Sequence, residues 1–112
     1  MLDKLGRSTA AIYLAGYAVE CILKALLLSI TPARHRAAVL KSFRGGVGHD
    51  LNHLRRQIAR YINIPPELAS HLAFAATWSV DLRYEPGEAH FADAERFVDA
   101  ARRILEWADR RL

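Results

Sequence analysis

IYLAGYAVECILKALLLSI, residues 12–30, is the stretch whose reading decides the fold. It is apolar and about long enough to cross a bilayer. Glu20 and Lys24 stand near its middle, however, and each is expensive in hydrocarbon. They are also four residues apart, the spacing that pairs opposite charges on a helix surface. A signal peptide would need small residues before a cleavage site and a basic start without Asp3. The stretch therefore reads as a helix of a soluble bundle, not as a membrane span.

Worked outward, this first helix covers about 3–30, with Asp3 or Ser8 as N-cap and Thr31-Pro32 as the stop. Ile12, Tyr13, Leu14, Tyr17, Val19, Ile22, Leu23, Leu26, Leu27 and Leu28 run nearly all the way round it. Such a helix asks for cover on most sides, and the expectation is a homodimer, with a second chain adding to the cover from its own bundle. Gly16 suggests a close helix approach. A short basic helix follows over 33–43, then the loop FRGGVGHD. That loop lacks the Lys-Ser or Lys-Thr of a phosphate loop, and no strand precedes it. Asp50 is a good N-cap for a helix carrying Leu51, Leu54, Ile58 and Tyr61 or Ile62 at three-and-four spacing.

Asn63-Ile64-Pro65-Pro66 ends that helix and opens another over about 66–83, expected to bury Leu68, Leu72, Ala75, Trp78 or Ser79, and Leu82. Pro86-Gly87 breaks it. The last helix, about 88–111, carries Phe91, Ala94, Val98, Ala101, Leu105 and Ala108 on one face, with Phe97, Ile104 and Trp107 beside it. No segment alternates as a strand would, and no repeat is visible. The expected fold is all-α: one domain over 1–112, an up-and-down bundle of four main helices plus a short extra one.

With 52% apolar and 25% charged residues the chain is ordinary for a globular protein. Cys21 is the only cysteine, so no internal disulfide forms, and a reduced, cytoplasmic setting is expected. The net charge is +4, and of the sixteen Lys and Arg residues all but Lys4, Lys24 and Lys41 are arginines. Arginine is the better fork for phosphate oxygens and the better stacker on bases. Arg34, Arg36, Arg55 and Arg56 are the candidate nucleic-acid contacts. A merely solvated, arginine-rich surface would read the same way.

No metal or other cofactor is called for. His49 and His53 have a ligand spacing, but His49 precedes the cap at Asp50, and no glutamate stands three residues before a histidine. No serine sits in a nucleophile elbow, and Cys21 lies mid-helix in an apolar run. Arg83 and His90 remain. Six residues separate them across Pro86-Gly87, a turn that brings one helix end beside the next helix start. There Arg83 would hold a phosphate and stabilise its transition state, while His90 shuttled a proton to or from a ribose hydroxyl. The plainer reading pairs Arg83 with Asp81 or Glu85 and leaves His90 on the surface.

The succession AIYLAGYAVECILKALL, GHDLNHL, WSVDLRY and a final helix ending ILEW resembles the HEPN domain family, from about Arg7 to Leu112. The resemblance implies an all-α bundle working as a homodimer that binds RNA or a nucleotide. In many such proteins an Arg, four to six residues, then a His form a metal-independent ribonuclease cleft shared by two subunits; Arg83 and His90 match that spacing at its upper limit. Tyr84 stands where catalytic members often carry a small polar residue. Ala92 stands where the toxin type carries tyrosine. GYAVEC and LRY resemble the branch first proposed to bind nucleotides. The alternative implied is a non-catalytic adaptor for a small nucleotidyltransferase of the toxin–antitoxin kind.

Overall fold

Thr31 closes the first helix, α1 (Lys4–Ile30). Its amide donates to the Leu27 carbonyl at 3.0 Å, its hydroxyl donates to the same oxygen, and Pro32 follows. In this computed structural model the backbone is described over residues 4–44, 50–84 and 91–112, and the side chains over 13–44, 50–76 and 95–112. The expected cap at Asp3 lies outside the described residues. Glu20 and Lys24 pair as their spacing requires, Nζ donating to Oε2 at 3.0 Å.

The short basic helix is α2 (Ala33–Ser42), which buries none of its residues. Its far end is tied to α1 where the Lys24 ammonium sits 5.2 Å from the centre of the Phe43 ring. Asp50 then caps α3 (Leu51–Ala59), its carboxylate accepting from the Asn52 amide at 2.9 Å. Leu51, Leu54 and Ile58 form the buried stripe of α3, as their spacing predicts; of the two candidates beyond it Ile62 packs against the core, while Tyr61 is 42% exposed. Pro66 opens α4 (Pro66–Tyr84), where the fixed φ of proline suits a first helical turn. The chain ends on α5 (Phe91–Asp109). No strand occurs among the described residues, and the helices make the expected all-α bundle.

The core is one cluster. Val19, Leu23, Leu26 and Leu27 of α1 meet Leu54 and Ile58 of α3, Leu68, Leu72 and Ala75 of α4, and Phe97, Ala101, Ile104 and Ala108 of α5. Ala101 and Ala108 of the expected α5 face are buried, and the helix is turned so that the residues beside that face are buried with them. Val98 is 40% exposed and Leu105 only half-buried, whereas Phe97, Ile104 and Trp107 point inward. Both stripes have helical spacing. The one carrying Phe97 and Trp107 removes more apolar surface from water, and the helix turns that side in. The expected burial of Trp78, Ser79 and Leu82 in α4, and of Phe91 and Ala94 in α5, falls outside the described side chains.

Gly16 faces Phe97, and a Cβ placed there would lie 3.9 Å from the end of the Phe97 ring, an ordinary contact. The close approach expected of this glycine is therefore not so tight as to exclude a methyl group. Gly16→Ala should raise stability by about 0.5–1 kcal/mol, since alanine loses less backbone entropy in a helix. Urea denaturation followed by circular dichroism checks this, and a lower midpoint would show that the two helices lie too close for a methyl group.

Candidate functional site

α4 and α5 run antiparallel, and two contacts fix their register. Arg103 approaches Glu67 at 3.9 Å, and the Arg96 guanidinium lies 5.0 Å from the centre of the Phe74 ring. Seven residues up α4 thus match seven down α5. Nine more up α4 reach Arg83, one residue from the end of that helix, while five more down α5 reach its first residue, Phe91. The last turn of α4 and the first turn of α5 therefore lie at the same end of the pair. Arg83 has its backbone in α4, and its side chain lies outside the described residues, as does the whole of His90.

The remaining predicted contacts are on the other helices. Arg34 and Arg36 are exposed on α2; Arg34 Nε donates to His35 Nε2 at 3.1 Å, and Arg36 Nε donates to the Thr31 carbonyl at 3.1 Å. Neither has a carboxylate partner among the described residues, so both keep their charge available. Arg56 is exposed in the last turn of α3. Its neighbour Arg55 is half-buried, with Nε enclosed and unpaired. That atom carries a desolvation penalty that a planar acceptor reaching it would relieve.

The arginines of α5 are differently placed. Arg102 and Arg103 both bind Asp99, at 2.7 and 3.1 Å. Hydrogen bonds from Arg102 first and Arg103 second hold that carboxyl below its ordinary range. A lowered carboxyl stabilises the fold above its unfolded-state value and ceases to as acid protonates it; being open to solvent, this one has a small effect. Arg111 stacks 4.4 Å from the centre of the Trp107 ring. These cations meet a carboxylate or an aromatic ring, unlike Arg34 and Arg36 of α2 among the described residues.

A hollow of about 260 Å³ opens between the start of α4 and the end of α5, lined by Pro65, Leu68, His71, Arg103, Trp107 and Arg110 among others. No motif along the chain pointed to it, because its residues come from two segments joined only by packing. It lies at the opposite end of α4 from Arg83, roughly 25 Å away by helical rise. It is below the roughly 300 Å³ usual for a small-molecule site, and Arg103 in its wall is already bonded to Asp99. The hollow does not belong to the Arg83 end. His49 lies outside the described residues, and no three His, Cys, Asp or Glu side chains gather into a metal-sized group among those described.

A family model described as HEPN domain matches residues 2–111. No curated protein and no solved structure gives a significant match.

Proposed function

Because the chain belongs to the HEPN domain family, we propose that it is a homodimer that binds RNA through the exposed arginines of α2 and α3 and acts on it at the α4–α5 junction. Membership carries a nucleotide- or RNA-related role in general. The finer reading rests chiefly on the antiparallel register that carries Arg83 to the end where α5 begins, with His90 the residue before it. The exposed arginines of α2, without a carboxylate partner among the described residues, add to it.

In this reading Arg83 holds a phosphodiester oxygen and His90 takes the proton of the ribose 2′-hydroxyl. The 2′ oxygen bonds to phosphorus, the bond to the 5′ oxygen breaks, and an imidazolium returns a proton to that leaving oxygen. The products are a 2′,3′-cyclic phosphate and a 5′-hydroxyl. The imidazolium formed in the first transfer is the one that returns the proton, so one imidazole serves both transfers in the shared cleft. The reduced, cytoplasmic setting drawn from the lone Cys21 suits an intracellular RNA substrate.

The RNA-binding half has its own test. Fluorescence anisotropy with a short single-stranded RNA, titrated at several salt concentrations, gives the slope of affinity against salt. Arg34→Ala/Arg36→Ala/Arg56→Ala should flatten that slope by about 0.7 for each phosphate that is no longer neutralised. An unchanged slope and affinity would remove α2 and α3 from the RNA surface. A second reading is favoured by Ala92, the departure from the toxin-type pattern: a non-catalytic adaptor for a small nucleotidyltransferase. It predicts no RNA cleavage by the protein alone, and co-purification with such a partner when the two are produced together.

A further inference from the structure

The hollow at the Pro65 end of α4 has no part in binding or cutting RNA as proposed above, yet its walls are chemically specific. Leu68 and Trp107, both buried members of the core, give it an apolar side. Glu67, His71, Arg103, Glu106 and Arg110 give it a polar one. We propose that this hollow binds a free α-amino acid with an apolar side chain, such as leucine. Arg110 takes the carboxylate and Glu106 the ammonium.

Charge selects the class of ligand. Two glutamates and two arginines line the hollow, so with His71 neutral their charges cancel. A nucleoside phosphate would meet Glu67 and Glu106, and a simple cation would meet Arg103 and Arg110. A molecule with one charge of each sign finds a partner for both, and both ends are compensated for the water they lose.

Unused bonding capacity selects the contacts. Glu106 and Arg110 are one helical turn apart, the Arg110 amide donating to the Glu106 carbonyl at 3.3 Å. Oppositely charged side chains at that spacing ordinarily pair, as Glu20 and Lys24 do in α1. Here they do not, and neither has another ion-pair partner among the described residues. Arg103, by contrast, is held by Asp99 and only approaches Glu67, at 3.9 Å. Trp107 adds an enclosed indole N–H without an acceptor among the described residues. A carboxylate oxygen brought to it would relieve its desolvation penalty.

Size narrows the choice. The volume of about 260 Å³ is below the roughly 300 Å³ at which sites for drug-sized ligands begin, so a smaller molecule fits better. Glu106 and Arg110 lie about 6 Å apart along the helix by rise. A free amino acid carries both its charges on one carbon, close enough to be held by the two side chains at once. Its apolar side chain is then left to Leu68 and Trp107. A peptide, whose two charged ends are far apart, would engage only one of the pair.

Calorimetric titration of the full chain with L-leucine should show saturable binding. Isocaproate, which lacks the ammonium, and isoamylamine, which lacks the carboxylate, should each bind weaker by about tenfold or more. In proton–nitrogen correlation spectra, one of the two tryptophan indole signals should shift with leucine. Glu106→Gln and Arg110→Gln should each weaken binding by about tenfold or more, with helical content and melting unchanged, because both residues are exposed. No binding at millimolar leucine would overturn the proposal. Isocaproate or adenosine monophosphate binding as tightly as leucine would also overturn it, by making the hollow a plain anion site. Leucine binding that survives in both glutamine variants, or that leaves both indole signals unmoved, would place the ligand elsewhere and have the same result.

Discussion

In buffer containing a metal chelator, Arg83→Ala and His90→Ala are each expected to lower RNA cleavage by about a hundred- to a thousandfold, with a much smaller loss of RNA affinity. The magnitude follows from what each group would supply. A positioned general base or acid contributes roughly 10²–10⁴ in rate. A donor aimed at charge that develops in the transition state contributes about 10²–10³. Neither contribution depends on holding the RNA, which the arginines of α2 and α3 are proposed to do. Catalysis and binding should therefore separate in the two sets of variants. Arg83→Lys keeps the charge but loses the planar fork, so it should recover only part of the rate. Cleavage that persists unchanged in both alanine variants would remove the pair from the chemistry and favour the adaptor reading.

The second large effect concerns the fold. Phe97→Ala should cost about 3–5 kcal/mol, the range for emptying an aromatic site in a packed core. Phe97 is fully buried, and its ring fills the space opposite Gly16, where the facing residue has no side chain with which to collapse into the gap. Against a total stability of roughly 5–15 kcal/mol, that loss leaves the protein marginal or unfolded at 37 °C. Val98→Ala, one residue away on the exposed side, should cost about 0.5 kcal/mol or less. Urea denaturation of the two variants checks the orientation of α5. Equal losses would mean that the helix is rotated and that Phe97 does not face the core.

That orientation marks where the sequence stopped being sufficient. The caps and stops of the helices were legible because they are local: Asp50 bonds its own helix, Thr31 the Leu27 carbonyl one turn back, and Pro66 sits in its own first turn. The ion pair of Glu20 and Lys24 was legible for the same reason. The inward face of α5 was legible only in part, at Ala101 and Ala108, because two apolar stripes with the same period run along that helix. Choosing between them requires the partner surfaces, Gly16 of α1 and the leucines of α4, which no local pattern contains.

The candidate site divides in the same way. The spacing of Arg83 and His90 is readable along the chain, and Pro86-Gly87 between them suggests the turn. What the sequence does not hold is the register of α4 against α5, which comes from Glu67 facing Arg103 and Phe74 facing Arg96. The all-round apolar pattern of α1 raised the expectation of cover from beyond the bundle. Which turn stays bare became visible only once the inward side was filled by Val19, Leu23, Leu26 and Leu27.

Arg83 of one subunit and His90 of its twin are proposed to work in one shared cleft, and mixing two inactive proteins tests this most directly. Arg83→Ala and His90→Ala subunits are combined, allowed to exchange, and assayed for RNA cleavage in chelator. A shared cleft predicts that the mixture recovers to within about tenfold of the wild-type rate, because the mixed dimer retains one arginine and one imidazole. A mixture as inactive as its parents, although mixed dimers have formed, would contradict the shared cleft.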